Sequence, residues 1–142
     1  MTVEILTYSD RHFGGLKALW IEAFPADPPR NSAATVVPAK LAIQPDLLLI
    51  AVEEGRVVGS VMAGYDGHRG WISRIAVLQS HRQRGIGRAL VGEAEARLQA
   101  LGCIKINLQV LISNAAVTEF YSRLGYCVEE RISMSKTFER PA

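Results

Sequence analysis

Two hairpin signals set close together constrain this chain more than any other feature. Residues 47–53 and 56–65 have the composition of strands, and Glu54-Gly55 joins them as a tight turn. Asp66-Gly67-His68-Arg69-Gly70 is a second turn, leading into another strand at residues 71–78. Strands linked so briefly pair antiparallel. The pattern then changes. Ile86, Leu90, Ala94, Leu98 and Leu101 recur at helical spacing, Gly102 closes that helix, and residues 104–110 are again apolar and β-branched. Hairpins followed by crossovers imply an α/β (mixed α+β) fold with a mixed sheet.

The flanking segments fit this frame. Residues 3–8 read as a short strand, after which Ser9 or Asp10 caps a helix with Phe13, Leu16, Leu19, Trp20 and Phe24 on its apolar face. Gly14 and Gly15 weaken the first turn of that helix by about 1 kcal/mol each relative to alanine. Residues 24–45 hold five of the six prolines and read as a loop with a short helix. Residues 114–124 form a second amphipathic helix, with Val117, Phe120, Tyr121 and Leu124 inward and Gly125 as its stop. Residues 126–138 are expected to supply the last one or two strands. No repeat, low-complexity tract or linker divides the 142 residues, so a single domain over 1–142 is expected.

Hydrophobic residues make up 49% of the chain, enough for a sizeable core without staples. Cys103 and Cys127 form no spaced framework and read as reduced, buried side chains, and no metal site is expected. No charged-then-apolar leader opens the chain, and no apolar run approaches the ~18 residues of a membrane span. A cytoplasmic protein with no membrane partner is the expectation. The net charge is only +2, yet Arg69, Arg74, Arg82, Arg84 and Arg88 all fall between Asp66 and Glu93, where no carboxylate occurs. A local basic field on a near-neutral chain points to an anionic ligand at one place, or on charge alone to a solvated arginine face, rather than to a nucleic-acid surface.

That place is the turn Arg82-Gln83-Arg84-Gly85-Ile86-Gly87-Arg88, between a strand and a helix. The first amides of a helix have no partner within it and point outward with the positive end of the dipole, which suits a phosphate. Gly85 and Gly87 let a diphosphate approach the backbone without a Cβ in the way. A Walker loop would need Gly-Lys-Ser/Thr, which the chain lacks, and the dinucleotide fingerprint fails because Leu90 stands where its third glycine or alanine belongs. A tight strand–helix turn with incidental arginines remains the simpler alternative at this level.

Arg82-x-x-Gly85-x-Gly87 resembles the (Arg/Gln)-x-x-Gly-x-(Gly/Ala) signature of the GNAT acetyltransferase superfamily. The stretch from Asn114 through Phe120 and Tyr121 to Gly125-Tyr126 resembles that superfamily's second motif. Gly64-Tyr-Asp-Gly-His-Arg-Gly70 is similar to the YpeA-like branch of small bacterial GNAT proteins. The resemblance extends over nearly the whole chain, since the element order matches as well.

This resemblance implies a GNAT-like single domain whose central mixed, mostly antiparallel sheet is splayed between the fourth and fifth strands, with helices on both faces. It implies acetyl-CoA as co-substrate. Its pantetheine arm would pair with a bulged strand at Ile75, Ala76 and Val77, opposite residues 108–110 of the splayed neighbour. The amides of Gln83, Arg84, Gly85, Ile86, Gly87 and Arg88, with Arg82 beside them, would hold the pyrophosphate. Asn114 matches the family residue that hydrogen-bonds the pantetheine arm, and it also reads as a plain helix cap. Tyr121 matches the general acid that protonates the departing thiolate, with a core tyrosine as the alternative. A strand amide near Ala76 would polarise the thioester carbonyl.

One position departs from the family pattern. Ser73 stands where a carboxylate base is usual. Glu22, Glu53, Asp66 and His68 could relay a proton, but each reads more simply as an exposed charge or a turn residue. The expected activity is direct acetyl transfer to an amine of a small-molecule or peptide acceptor, by a monomer or homodimer. The alternative that Ser73 raises is a CoA-binding regulatory module without turnover.

Overall fold

The computed structural model describes residues 2–138, and its five strands form one sheet. They are β1 (Val3–Thr7), β2 (Leu48–Glu53), β3 (Arg56–Tyr65), β4 (Gly70–Val77) and β5 (Ile106–Leu108), in that spatial order. The helices are α1 (Phe13–Ala23), α2 (Ala33–Ile43), α3 (Ile86–Ala100) and α4 (Ala115–Arg123). The first four strands pair antiparallel, while the crossover through α3 brings β5 in parallel to β4. The chain divides into two compact units, one up to Gln109 and one from Val110 onward. The first holds the sheet with α1 to α3, and the second holds α4.

Helices cover both faces of the sheet in the first unit. A strand directs successive side chains to opposite faces. Ser60 of β3 accepts a hydrogen bond from Trp20 Nε1 of α1 at 2.9 Å, whereas a Cβ at its neighbour Gly59 would meet Leu90 of α3 at 3.0 Å. The core therefore lies on either side of β2 and β3, whose central residues are buried whichever way they point. Leu16 and Leu19 fill one side and Leu90, Ala94 and Leu98 the other, all fully buried.

The proline-rich segment carries more helix than its composition suggests. A 3-10 turn at Pro29–Asn31 is followed by the 11-residue α2, which tolerates Pro38 in its interior. Gln44 then grips the end of β3, its side chain accepting from Tyr65 N at 3.1 Å and donating to Tyr65 O at 3.0 Å. Tyr65 lies where β3 turns towards β4, so α2 is tied to the far end of the hairpin.

Several expectations are corrected. The strand expected over 104–110 is only Ile106–Leu108, because a strand lasts as long as its ladder and β5 pairs only with Gly70, Trp71 and Ile72. Residues 126–138 form no strand, and Val128, Ile132, Met134 and Phe138 are exposed. Apolar alternation by itself does not make a strand, which exists only as a ladder between two segments. Leu101 falls past the last turn of α3 and is half exposed, and Cys127 is exposed rather than buried.

Candidate active site

The turn after β4 has the geometry of a helix-capped anion site. Gly85 is the N-cap of α3 with φ 78°, a left-handed conformation suited to glycine. Ala89 N donates to Gly85 O at 3.0 Å, the first bond of the helix ladder. The amides of Ile86, Gly87 and Arg88 precede it and have no acceptor within the helix, so they project from its positive end. Gln83 also has a positive φ of 62°, a strained choice for a glutamine that turns the chain towards the helix. A Cβ at Gly85 would meet nothing within 4 Å, and a shallow cleft lined by Val3, Ile5, Arg84, Gly85, Ile86 and Ala89 opens beside it.

The strand feeding this turn is bulged. Ser60 pairs with Ala76 and Met62 with Ser73, so Val61 alone faces both Arg74 and Ile75. Arg74 takes φ 54° at the bulge, and its carbonyl accepts from Ser60 Oγ at 3.0 Å. On the other side the β4–β5 ladder ends at Ile72 with Leu108, while β3–β4 pairing continues to Gly59 with Val77. From Ser73 to Val77, β4 has no β5 residue paired to it. Leu78 N donates to Val58 O on the β3 side at 2.9 Å, so by alternation the main-chain groups of Val77 face the open edge. Ala76 is buried, with Ile75 and Val77 half-buried.

The basic field is smaller than the sequence implies. Arg84 donates to Glu53 Oε2 at 2.5 Å, and His81 Nε2 lies 3.3 Å from the same carboxylate. Glu53 is not an exposed charge; it is buried at the end of β2, and the Arg84 guanidinium holds its carboxyl below the usual range. Arg74 is likewise withdrawn, paired with Asp27 at 2.5 Å and donating to Asn31 O at 2.8 Å. Arg82 Nε donates to Val77 O at 3.3 Å. These partners lie 31 and 47 residues away from Arg84 and Arg74, so a reading of local charge could not find them.

The other candidates sort by structural duty. Asp66 accepts from the amides of Arg69 and His68 at 2.7 and 2.8 Å, and those bonds, that of Arg69 first, lower its pKa. It is a turn residue. Glu22 accepts from Gln79 N at 3.0 Å, bracing the 3-10 turn ahead of Arg82. Ser73 is exposed. Trp20, Ser60 and Asp27, which organise the bulge, carry no motif, and no local signal marks them.

In the second unit, Asn114 caps α4 by accepting from Val117 N at 3.3 Å. Tyr121 is buried, with Phe120 and Tyr126 edge-on at ring distances of 5.0 and 5.4 Å. Burial pushes its phenol above the ordinary value of 10.0, so it stays protonated across the neutral range. Among the described residues no group of His, Cys, Asp and Glu could hold a metal ion, and no helix is long and apolar enough to cross a membrane.

Comparison with known proteins places this geometry. The Acetyltransferase (GNAT) family profile matches residues 14–126. Acetyltransferase SG1711 of Sodalis glossinidius is 39% identical over 130 residues, covering 92% of this chain and 91% of its own. Acetyltransferase ECA0875 of Pectobacterium atrosepticum is 39% identical over 134 residues, 94% of each. Among solved structures, AAC(6')-Iy in complex with the bisubstrate analogue CoA-S-monomethyl-acetylneamine superposes with a TM-score of 0.78 over 97% of this chain and 99% of that one. At 21% identity that likeness speaks for the fold.

Proposed function

The chain belongs to the GNAT acetyltransferase family and is an acyl-CoA-dependent N-acetyltransferase with acetyl-CoA as co-substrate, and from that premise we propose direct transfer of the acetyl group to an amine of a small-molecule or peptide acceptor. The family match runs across both units, which supports one acetyltransferase domain over residues 1–142. One observation carries the mechanistic reading. A bulged strand with an open edge leads, through one short turn, to a glycine-capped helix terminus. An edge and an amide nest in sequence suit an extended arm ending in a diphosphate.

In this reading the amides of Gln83 to Arg88 hold the pyrophosphate, with the Arg82 side chain at its flank. Ile75, Ala76 and Val77 offer their backbone to the pantetheine arm, and Asn114 hydrogen-bonds that arm. The amine lone pair attacks the thioester carbonyl, whose developing negative charge a β4 amide near Ala76 stabilises. The C–N bond forms, the C–S bond breaks, and the phenol of Tyr121 gives its proton to the departing thiolate. The acceptor's ammonium proton passes to solvent and the Tyr121 phenolate regains one from it, so phenol and free thiol both stand at the end of the cycle. Burial keeps the phenol protonated at neutral pH, so a donor stands ready when the thiolate departs.

Thermal-shift titration with CoA, acetyl-CoA, longer acyl-CoAs and NAD tests the assignment. A ligand at ~100 times its Kd stabilises by about 2.7 kcal/mol. CoA species should raise Tm and NAD should not; a flat response to every CoA species sinks the reading.

A further inference from the structure

Arg74 has no part in the chemistry above, yet hydrogen bonds and aromatic contacts from three other segments converge on it. It occupies the left-handed position of the bulge at φ 54°, where glycine is the usual choice. A residue with a Cβ stays there only if its surroundings impose the conformation. Two sets of contacts do so. The carbonyl is held by Ser60 Oγ at 3.0 Å, and Ser60, fully buried, is itself fixed by the indole N–H of Trp20 at 2.9 Å. The guanidinium lies 4.9 Å from the centroid of the Trp20 ring and 4.6 Å from that of Phe24. Its two terminal nitrogens donate to Asp27 and to Asn31 O. Trp20 therefore meets the guanidinium directly and reaches the carbonyl end of the same residue through Ser60.

The placement has a consequence for the open edge. The β4–β5 ladder stops at Ile72, and the residue that turns β4 away from its regular course is Arg74. The clamp also reaches across to residues 24–31, the connector between α1 and α2. A single side chain thus ties that connector to the stretch of strand offered to the thioester arm.

We propose that Arg74 is a positioning residue for acetyl transfer, locking the β4 bulge through Trp20, Ser60 and Asp27 so that the backbone of Ile75 to Val77 is held in register with the acyl arm. The proposal rests on the acetyl-CoA reading above. It makes no demand on the phosphate-binding turn, so binding and turnover should separate when the clamp is removed. Arg74→Gly is the sharpest variant, because glycine accepts the left-handed backbone without strain while the guanidinium clamp is lost. Thiol release from acetyl-CoA is measured over a panel of polyamine, aminoglycoside and peptide amines, alongside CoA affinity by calorimetry. Misplacement of a reacting group by about 1 Å can lower rate by on the order of 10²-fold. Turnover of Arg74→Gly should fall by roughly 10- to 100-fold on that basis, with the CoA Kd within about twofold of wild type.

Trp20→Phe is the second variant. It keeps the aromatic packing and removes the indole donor to Ser60, and it should lower turnover in the same sense with the same unchanged Kd. Arg74→Lys retains a charge for Asp27 and should recover part of the loss. Turnover of Arg74→Gly within about twofold of wild type overturns the inference, as does a parallel loss of turnover and CoA affinity, which marks a merely structural role. A wild type that neither binds CoA nor releases thiol overturns the underlying reading as well.

Discussion

Replacing Gly85 with alanine tests the phosphate-binding turn against a matched control. Gly85 has φ +78° and Gly67, at the tip of the β3–β4 hairpin, has φ +90°; a Cβ at either would meet nothing within 4 Å. Both alanine variants therefore carry only the backbone penalty of the left-handed region, about 1–2 kcal/mol. In a chain of this size each kcal/mol lowers Tm by roughly 2–5 °C, so both should melt lower by a similar amount. They should differ in CoA binding. The new methyl at Gly85 occupies the approach to the amides of Ile86, Gly87 and Arg88, and loss of one hydrogen bond to a charged group removes roughly 1.5–3 kcal/mol. At 1.4 kcal/mol per decade, that raises the CoA Kd roughly 10- to 100-fold. Isothermal calorimetry with CoA reads the difference without requiring an identified acceptor. If the two variants bind CoA within twofold of each other, the amides at the start of α3 do not hold the diphosphate, however well the turn is shaped.

Tyr121→Phe should lower turnover by roughly 10²–10⁴-fold with CoA affinity nearly intact, and unchanged thiol release would remove Tyr121 from the mechanism. With its phenol held above 10.0 by burial, no alkaline limb assignable to Tyr121 should appear in a kcat–pH profile below that value. Glu53 has a depressed folded-state pKa, so its stabilising contribution is present above the ordinary 4.5 and is lost as pH falls through the folded value. Acid melts of Glu53→Gln should accordingly depend less on pH below about 4.5 than those of wild type, and identical slopes would show that the Arg84 pairing contributes nothing. Asn114→Ala removes the cap of α4 and should lower stability by about 1 kcal/mol, readable by urea denaturation.

What could be read along the chain was what neighbouring residues decide. The turn chemistry at Glu54-Gly55 and Asp66-Gly67 places the β2–β3 and β3–β4 hairpins, and the stripe Ile86, Leu90, Ala94 and Leu98 is buried as its spacing requires. Gly85 sits at the cap where a strand–turn–helix unit needs it. Each of these follows from periodicity or from one residue's backbone freedom, and neither depends on distant chain.

Residues 126–138 show the limit of that reasoning. Their alternation is that of a strand, but a strand is a relation between two segments, and the described residues 126–138 form none. The arginines show it again. Within one carboxylate-free stretch, Arg74 and Arg84 read as one field, whereas the fold delivers Asp27 to one and Glu53 to the other. The bulge at Arg74 is the strongest case. Nothing in Ser-Arg-Ile announces a left-handed arginine, because the conformation is imposed by Ser60 and Trp20, 14 residues away and further. By itself the sequence determined the turn, the helix behind it and the family to which they belong. Only the tertiary structure decided which charges stay free to meet an anion and where the edge of β4 opens, since both depend on groups that meet through the fold rather than along the chain.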